Sequence, residues 1–267
     1  SAFWGGIPET NFLKRDLKAA IVNMPSEQAA KVWAAAIDPV ANQKMTQGAA
    51  KAELIKVPAL ICASWSDKGL HTRGSFEMFR RIGSADKWLY THGGRKWERF
   101  YSEDALAVQR KFFDYFLKGM QNGWPDTPRV RLEVRDNRDE YAVRFEKEFP
   151  LARTQYAKLY LNGRDGSLGS KAAKPAKRSY TPTQGDDASF GITFDRDTEL
   201  TGYIKLKLWV SAKNADDMDL FVAVKKFDAQ GNEVQFRGMN GFGGDVAAKG
   251  QMRVSQRELD DKLSTPW

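Results

Sequence analysis

A change of hydrophobic period close to Pro128 constrains this chain more than any other feature. Upstream, apolar residues recur at helical spacing, as at Leu106, Phe112, Phe113, Phe116 and Leu117. Downstream they alternate with polar ones: Val130, Leu132 and Val134 between Arg and Glu, then Ile204, Leu206, Leu208 and Val210. A helical period requires helices packed on something, whereas a period of two requires half-buried strands. The sequence therefore predicts an α/β part followed by an all-β part, with the division near residue 150.

Local signals fill in the first part. Ser26 follows Pro25 and opens Glu27 to Ile37, an Ala-rich run stopped at Asp38-Pro39, so a helix is expected there. Val57 to Ala63 is short and almost wholly apolar, as in a strand covered by helices on both faces of a parallel sheet. Gly74 to Ile82 reads as a short helix ending at Gly83, and Lys87 to Tyr90 as a second strand leading into His92-Gly93-Gly94. A longer helix is expected from Ser102 to Lys118, with Gly119 as its C-cap. Strand, helix, strand, helix is the closing portion of an open α/β sheet. Two parallel strands cannot bury both faces by themselves, so the sequence reads as cut at the front and at the back. In the second part, Tyr156 to Leu161 and Leu220 to Val224 are further strand candidates, with Asn162-Gly163, Asp165-Gly166 and Gln230-Gly231-Asn232 as turns. A β-sandwich or jelly roll is expected.

Composition removes several functional classes. A single cysteine, Cys62, excludes an internal disulfide and a multi-cysteine zinc site, and the two histidines, His71 and His92, exclude a histidine-rich metal centre. No cofactor is implied. No apolar stretch is long enough to span a bilayer, and no membrane partner is expected. The net charge of +8 raises the question of nucleic acid. Its basic residues, however, are interleaved with acids, as in Arg129 to Asp136, and the densest run, Lys171 to Arg178, reads as a solvated loop. No nucleic-acid-binding pattern accompanies them, so no nucleic-acid partner is expected.

With two imidazoles in the chain, candidate chemistry is quickly narrowed. Asp67 lies just past the end of the first buried strand and His92 just past the end of the next, with room for one helix between. That order places a carboxylate and an imidazole side by side at the C-terminal edge of the sheet. There an Asp can hold the tautomer of a His that acts as general base. Spacing alone leaves another reading open, in which Asp67 caps the following helix and His92 is a turn histidine beside Gly93-Gly94.

Ile55-Lys56-Val57-Pro58-Ala59-Leu60 through Trp65-Ser66-Asp67 resembles a strand of the cocaine esterase/X-Pro dipeptidyl-peptidase hydrolases, the CocE/NonD group. Lys87 to His92 resembles that family's next strand, which delivers the catalytic histidine, with Leu89-Tyr90-Thr91 in place of the usual Gly-Pro-Trp. Phe112-Phe113-Asp114-Tyr115-Phe116-Leu117-Lys118-Gly119 resembles the end of the helix that follows. Pro128-Arg129-Val130 and Phe149-Pro150-Leu151 resemble the linker into a C-terminal jelly roll, within which Lys158 to Leu161 and Asp216 to Phe221 resemble two strands. The resemblance implies three regions: residues 1–50 as a helical cap segment with Gly5-Gly6-Ile7 as lead-in, 51–125 as the C-terminal part of an α/β-hydrolase domain, and 126–267 as an incomplete jelly-roll β-sandwich.

It further implies that Asp67 and His92 are the acid and base of a serine hydrolase acting on small-molecule esters or amides through an acyl-enzyme. The family's nucleophile sits on a Gly-x-Ser-x-x-Gly elbow upstream of the cap. Nothing here matches it: Gly74-Ser75-Phe76-Glu77 lacks the closing glycine and opens a helix. The nucleophile is therefore expected outside this chain, leaving the fragment inactive by itself. Trp65 is the expected substrate-binding wall, ahead of Trp4, Trp33 and Trp97. His71 reads as a bystander. Asp216, Asp217 and Asp219 read as a turn rather than a calcium site. Lys68-Gly69 stands where relatives that recognise a free amino group place acids. The competing reading is a non-catalytic binding module using the β-sandwich, with Trp209 as an outward aromatic. A homo-oligomer is left open, and one cysteine without a visible leader fits the cytoplasm.

Overall fold

Leu60, Ile61 and Ala63 can sit between two layers only if the strand that carries them finds a neighbour, and Lys87 to His92 supplies it. In a computed structural model the described residues are 3–4, 7–8, 24–37, 51–69, 71–238, 243–259, 261 and 264–265. The elements, in order, begin with β1 (Phe3–Trp4), β2 (Ile7–Pro8), α1 (Ser26–Ile37), β3 (Ala59–Ser64), α2 (Thr72–Arg81) and β4 (Lys87–His92). They continue with α3 (Lys96–Phe100), α4 (Glu103–Lys118), β5 (Val130–Arg135) and β6 (Tyr141–Glu146). The remaining strands are β7 (Tyr160–Leu161), β8 (Leu168–Gly169), β9 (Asp219–Val224), β10 (Lys226–Phe227), β11 (Glu233–Val234), β12 (Phe236–Arg237), β13 (Gly244–Asp245) and β14 (Ala248–Arg253). Gly5, Gly6, Asp38, Pro39, Pro266, Trp267 and the side chains of Trp4 and Trp33 lie outside the described residues. Contacts divide the chain into two units, Ser1–Phe149 with Leu208–Thr265, and a second built on Pro150–Lys207.

The first unit is organised by a four-stranded sheet in the order β3-β4-β5-β6. β3 and β4 are parallel from Ala59↔Lys87 to Ser64↔His92, and β4 is parallel to β5 through Leu89↔Val130 and Tyr90↔Arg131. β5 and β6 are antiparallel from Val130↔Glu146 to Arg135↔Tyr141. Val130 to Val134, expected to open the sandwich, instead extends the α/β sheet. Its alternation does mark a strand, but one whose parallel partner is β4. In the sequence, period alone does not say which sheet a strand joins.

Successive side chains of β4 point to opposite faces and so recruit different helices. Trp88 packs against Phe112 of α4 and against Trp124, with ring centroids 6.1 and 5.0 Å apart in edge-on geometry. Leu60, Val108, Tyr115 and Phe116 close around this cluster. On the other face, the Lys87 ammonium donates to the Phe79 carbonyl of α2 at 2.9 Å, and Phe76 stacks on Trp65 at 4.6 Å. α4 begins after Ser102 and stops at Gly119, whose φ of +69° is the left-handed geometry in which glycine ends helices at no steric cost.

Elsewhere the first unit is built of two-stranded pairs. β9 and β14 pair antiparallel from Asp219↔Arg253 to Val224↔Ala248, with the Arg253 guanidinium bidentate on the Asp219 carboxylate at 2.8 and 2.9 Å. Asp217 accepts from the Ser255 hydroxyl at 2.6 Å. These acids are thus used within the strand pair. β10 and β11 flank a turn in which the Asp228 carboxylate accepts the Gln230 and Asn232 main-chain N–H groups. In the second unit, β7 and β8 pair around Asn162 to Ser167, and Ser167 bridges to Gly191. Residues 204–210, expected as a strand, form none, because no partner strand flanks them among the described residues. Trp209 there is fully exposed.

The aromatic cluster and Trp209 give opposite predictions. Trp124, 1% exposed, loses its packing on replacement, so Trp124→Ala is expected to cost about 3–5 kcal/mol. Trp209→Ala is expected to stay within about 0.5 kcal/mol of the wild type. Urea unfolding followed by tryptophan fluorescence measures both.

Candidate active site

β3 and β4 end level with each other, at Ser64 and His92. Past these ends the two chain turns are tied together. The Trp65 N–H donates to the His92 carbonyl at 2.7 Å, and the Ser66 hydroxyl donates to the Gly94 carbonyl at 2.8 Å. Ser64 and Ser66 are 2.9 Å apart through their hydroxyls. Short hydroxyl side chains suit this position because they satisfy turn amides without filling the space.

Asp67 follows directly and is 3% exposed. Its carbonyl accepts the His71 and Thr72 N–H groups at 3.1 and 3.2 Å, so it does cap α2, but through its main chain. The carboxylate is left for other work. Its Oδ2 accepts from the Lys96 ammonium at 3.1 Å and lies 3.9 Å from His71 Nε2, whose side chain is largely exposed.

His92 is 5% exposed, in a small cavity lined by Leu60, Cys62, Tyr90, Arg99, Phe100 and Ala105 among others. Its Nδ1 is buried and has no hydrogen-bond partner among the described residues. Burial above all, and then the Arg99 guanidinium, push its pKa down to about 4. A hydrogen bond with the Gly94 main chain and the Asp104 carboxylate act the other way, and Arg131 adds to the lowering. The imidazole is therefore neutral at pH 7, the form a general base must have. A carboxylate bonded to Nδ1 would raise its basicity towards the working range. Strand order brings Asp67 and His92 to adjacent strand ends. In this structure the carboxylate is engaged by Lys96, and the imidazole Nδ1 has no partner among the described residues.

Trp65 is half-buried. Its ring stacks on Phe76 and its Nε1 donates to the Glu133 carbonyl at 3.0 Å, so both its apolar and polar parts are tied into the sheet. Trp97 is exposed, with the Lys96 ammonium 5.6 Å above its ring. The Ser75 hydroxyl donates to the His71 carbonyl within α2, and neither it nor Ser64 or Ser66 stands on a strand-to-helix elbow. The Lys68 side chain is nearly buried. It meets the Asp245 carboxylate at 3.4 Å and the Val246 carbonyl, and burial pushes its pKa down to about 8.

Two residues of the site had no sequence signal strong enough to find them. Lys96 lies in a short helix without a motif. Glu133 alternates with Leu132 and Val134, on the parity of Arg131 and Arg135, which reads as a solvated face. It is nonetheless 3% exposed, because the turn after His92 covers it. Its Oε1 accepts the Gly93 N–H at 2.5 Å. Among the described residues no group of three metal-ligating side chains forms, and no helix is long and apolar enough to cross a membrane.

The depressed basicity of His92 fixes a pH dependence. Between about pH 4 and the ordinary imidazole value of about 6.5, the unfolded chain binds a proton that the folded chain refuses. Stability is thus present above that window and is lost as pH falls through it, by up to about 3 kcal/mol. Urea midpoints measured from pH 7 down to pH 4 are expected to fall more steeply for the wild type than for His92→Gln.

The chain is similar to proteins of known structure. Residues 122–265 match the X-Pro dipeptidyl-peptidase C-terminal non-catalytic domain. Two crystal structures of a CocE/NonD family hydrolase from Staphylococcus aureus each share 40% sequence identity with it over 99% of its length, at a TM-score of 0.85. The chain spans about half of their length, 48% and 49%. No curated protein matches it. The order of strands and helices around β3, β4 and α4, the matched C-terminal domain and this identity agree: the chain belongs to the CocE/NonD family of hydrolases, of which it carries the C-terminal portion.

Proposed function

We propose that the protein is a serine hydrolase of small-molecule esters or amides in which His92 is the general base and Asp67 the carboxylate that orients it. One observation carries the reading. The His92 Nδ1 is buried and has no hydrogen-bond partner among the described residues, at the end of a strand whose parallel neighbour leads into a buried carboxylate. An unpartnered buried nitrogen is costly, and a bond from Nδ1–H to Asp67 is the remedy that the strand order makes available.

The chemistry follows from that pair. With its proton on Nδ1 and held by Asp67, His92 takes the serine proton at Nε2 as the serine oxygen attacks the acyl carbon. It then gives this proton to the departing alkoxide or amine, leaving an acyl-enzyme. Water, deprotonated in turn by His92, releases the acid and restores the serine. The mechanism requires Asp67 to exchange Lys96 for His92. It also requires a serine on an elbow with main-chain oxyanion donors; the sequence of residues 1–267 carries no Gly-x-Ser-x-x-Gly pattern, so the nucleophile is taken from outside them. Trp65 would offer an apolar wall through the part of its half-buried ring not stacked on Phe76. The jelly-roll architecture of the C-terminal half and the cap role of residues 1–50 belong to the same proposal.

A second reading, a non-catalytic binding module, is favoured by the match of residues 122–265 to a non-catalytic domain and by the full exposure of Trp209. Retention by a polysaccharide panel that is lost in Trp209→Ala would support it.

In the hydrolase that contains these residues together with the nucleophile, His92→Ala is expected to lower kcat for a p-nitrophenyl ester by about 10³–10⁴-fold, with the circular dichroism spectrum unchanged. Asp67→Asn is expected to lower it comparably, and His71→Gln by less than about twofold. Turnover by His92→Ala at wild-type rates would remove the assignment.

A further inference from the structure

We infer that Glu133 is the positioning residue of His92, fastening the turn that follows the imidazole and joining it to the loop that leads to Asp67. The inference rests on the reading of His92 as the base. Three bonds converge on this one residue. The Glu133 Oε1 accepts the Gly93 N–H at 2.5 Å, immediately after His92. The Glu133 N–H donates to the Thr91 hydroxyl at 2.8 Å, immediately before it. The Glu133 carbonyl accepts from Trp65 Nε1 at 3.0 Å, on the loop that runs into Asp67. His92 is bracketed on both sides, and both turns of the site are referred to one position on β5.

The approach at Gly93 is close. A Cβ there would stand 2.7 Å from Glu133 Oε1 and 2.6 Å from Arg135 Cδ, so any larger residue would have to push these side chains away from the turn. The Glu133 side chain is 1% exposed, and Arg99 is its nearest cation at 3.7 Å from Oε2. Burial pushes its carboxyl group up, against the Gly93 N–H, Arg99, Arg131 and Arg135. A buried carboxylate is a poor means of stabilising a sheet, since an apolar side chain of similar volume does at least as well. What it provides is a charge-assisted bond to one specified amide. Charged and titratable groups facing His92 itself are Arg99, Arg131, Asp104, Tyr90 and Cys62, and none of these bonds to its Nδ1.

Residues 1–267 hold two histidines, so their imidazole NMR resonances are assigned by one variant, His71→Gln. In the wild type His92 is expected to titrate near pH 4. Glu133→Gln retains an oxygen for the Gly93 N–H and removes the charge opposite Arg99, so the midpoint should stay put or fall. Glu133→Ala frees the turn, admits water to the ring and should raise the midpoint by roughly one unit or more towards the ordinary value of about 6.5. A folded Ala variant that titrates like the wild type, or a Gln variant that rises with the Ala variant, overturns the inference. If the Ala variant does not fold, the wild-type Gly93 amide decides. Strong protection from exchange and a downfield shift support the bond, and exchange at the rate of an open turn overturns it. The titration needs no turnover. Failure of the hydrolase reading appears separately, as ester hydrolysis that survives His92→Ala in the protein that contains the nucleophile.

Discussion

The parallel pairing of β3 with β4, pinned by Trp88 against Phe112 and Trp124, is the interaction on which the rest of the first unit depends. Three large rings in edge-on contact, with Trp124 almost fully enclosed, make the heaviest apolar burial on the α4 face. Because Trp88 is anchored there, the alternation of β4 places Tyr90 and His92 on the same face and Leu89 and Thr91 on the other. The orientation of His92 is thus inherited from the core, four residues away. Register does the remainder: Ser64 opposite His92 means that whatever follows Ser64 emerges beside whatever follows His92.

Around those ends the electrostatics are dominated by cations. Lys96 holds the Asp67 carboxylate, Arg99 stands between Glu133 and the Tyr141 hydroxyl, and Arg131 donates to the Thr91 carbonyl at 2.7 Å. Arg99 and Arg131 oppose protonation of His92, and burial does so more strongly still. The site therefore keeps its imidazole neutral, with Glu133 as the acid beside the arginines closest to the turn.

Much of this was legible in the residues. The helix expected from Ser102 to Lys118 with Gly119 as its cap is α4, because apolar spacing and a glycine with nothing helical after it are local signals. The strands expected at 57–63 and 87–90 are β3, shifted by two residues at its start and one at its end, and β4, which starts at Lys87 as expected and runs two residues longer. Where neighbours outrank propensity, sequence reading failed. Ile204 to Val210 alternates as well as any strand here and forms none. Val130 to Val134 forms a strand but joins the α/β sheet. Glu133 and Lys96 escaped notice because a polar residue on an alternating strand or in a short helix looks solvated until something is folded over it.

What the sequence determined by itself was the inventory: two imidazoles, one thiol, no serine elbow, and a carboxylate and an imidazole following successive apolar strands. Family resemblance was equally legible, since it rests on local motifs in a fixed order. The tertiary structure decided the company those residues keep. It gave the Asp67 carboxylate to Lys96, buried His92 with Nδ1 lacking a partner among the described residues, and set Glu133 beneath the Gly93 amide. These are pairings between residues 29 and 40 positions apart, fixed by strand register and by the close approach of main chain at Gly93. A one-dimensional pattern holds neither distance nor burial, and it is those two quantities that set a proton's affinity.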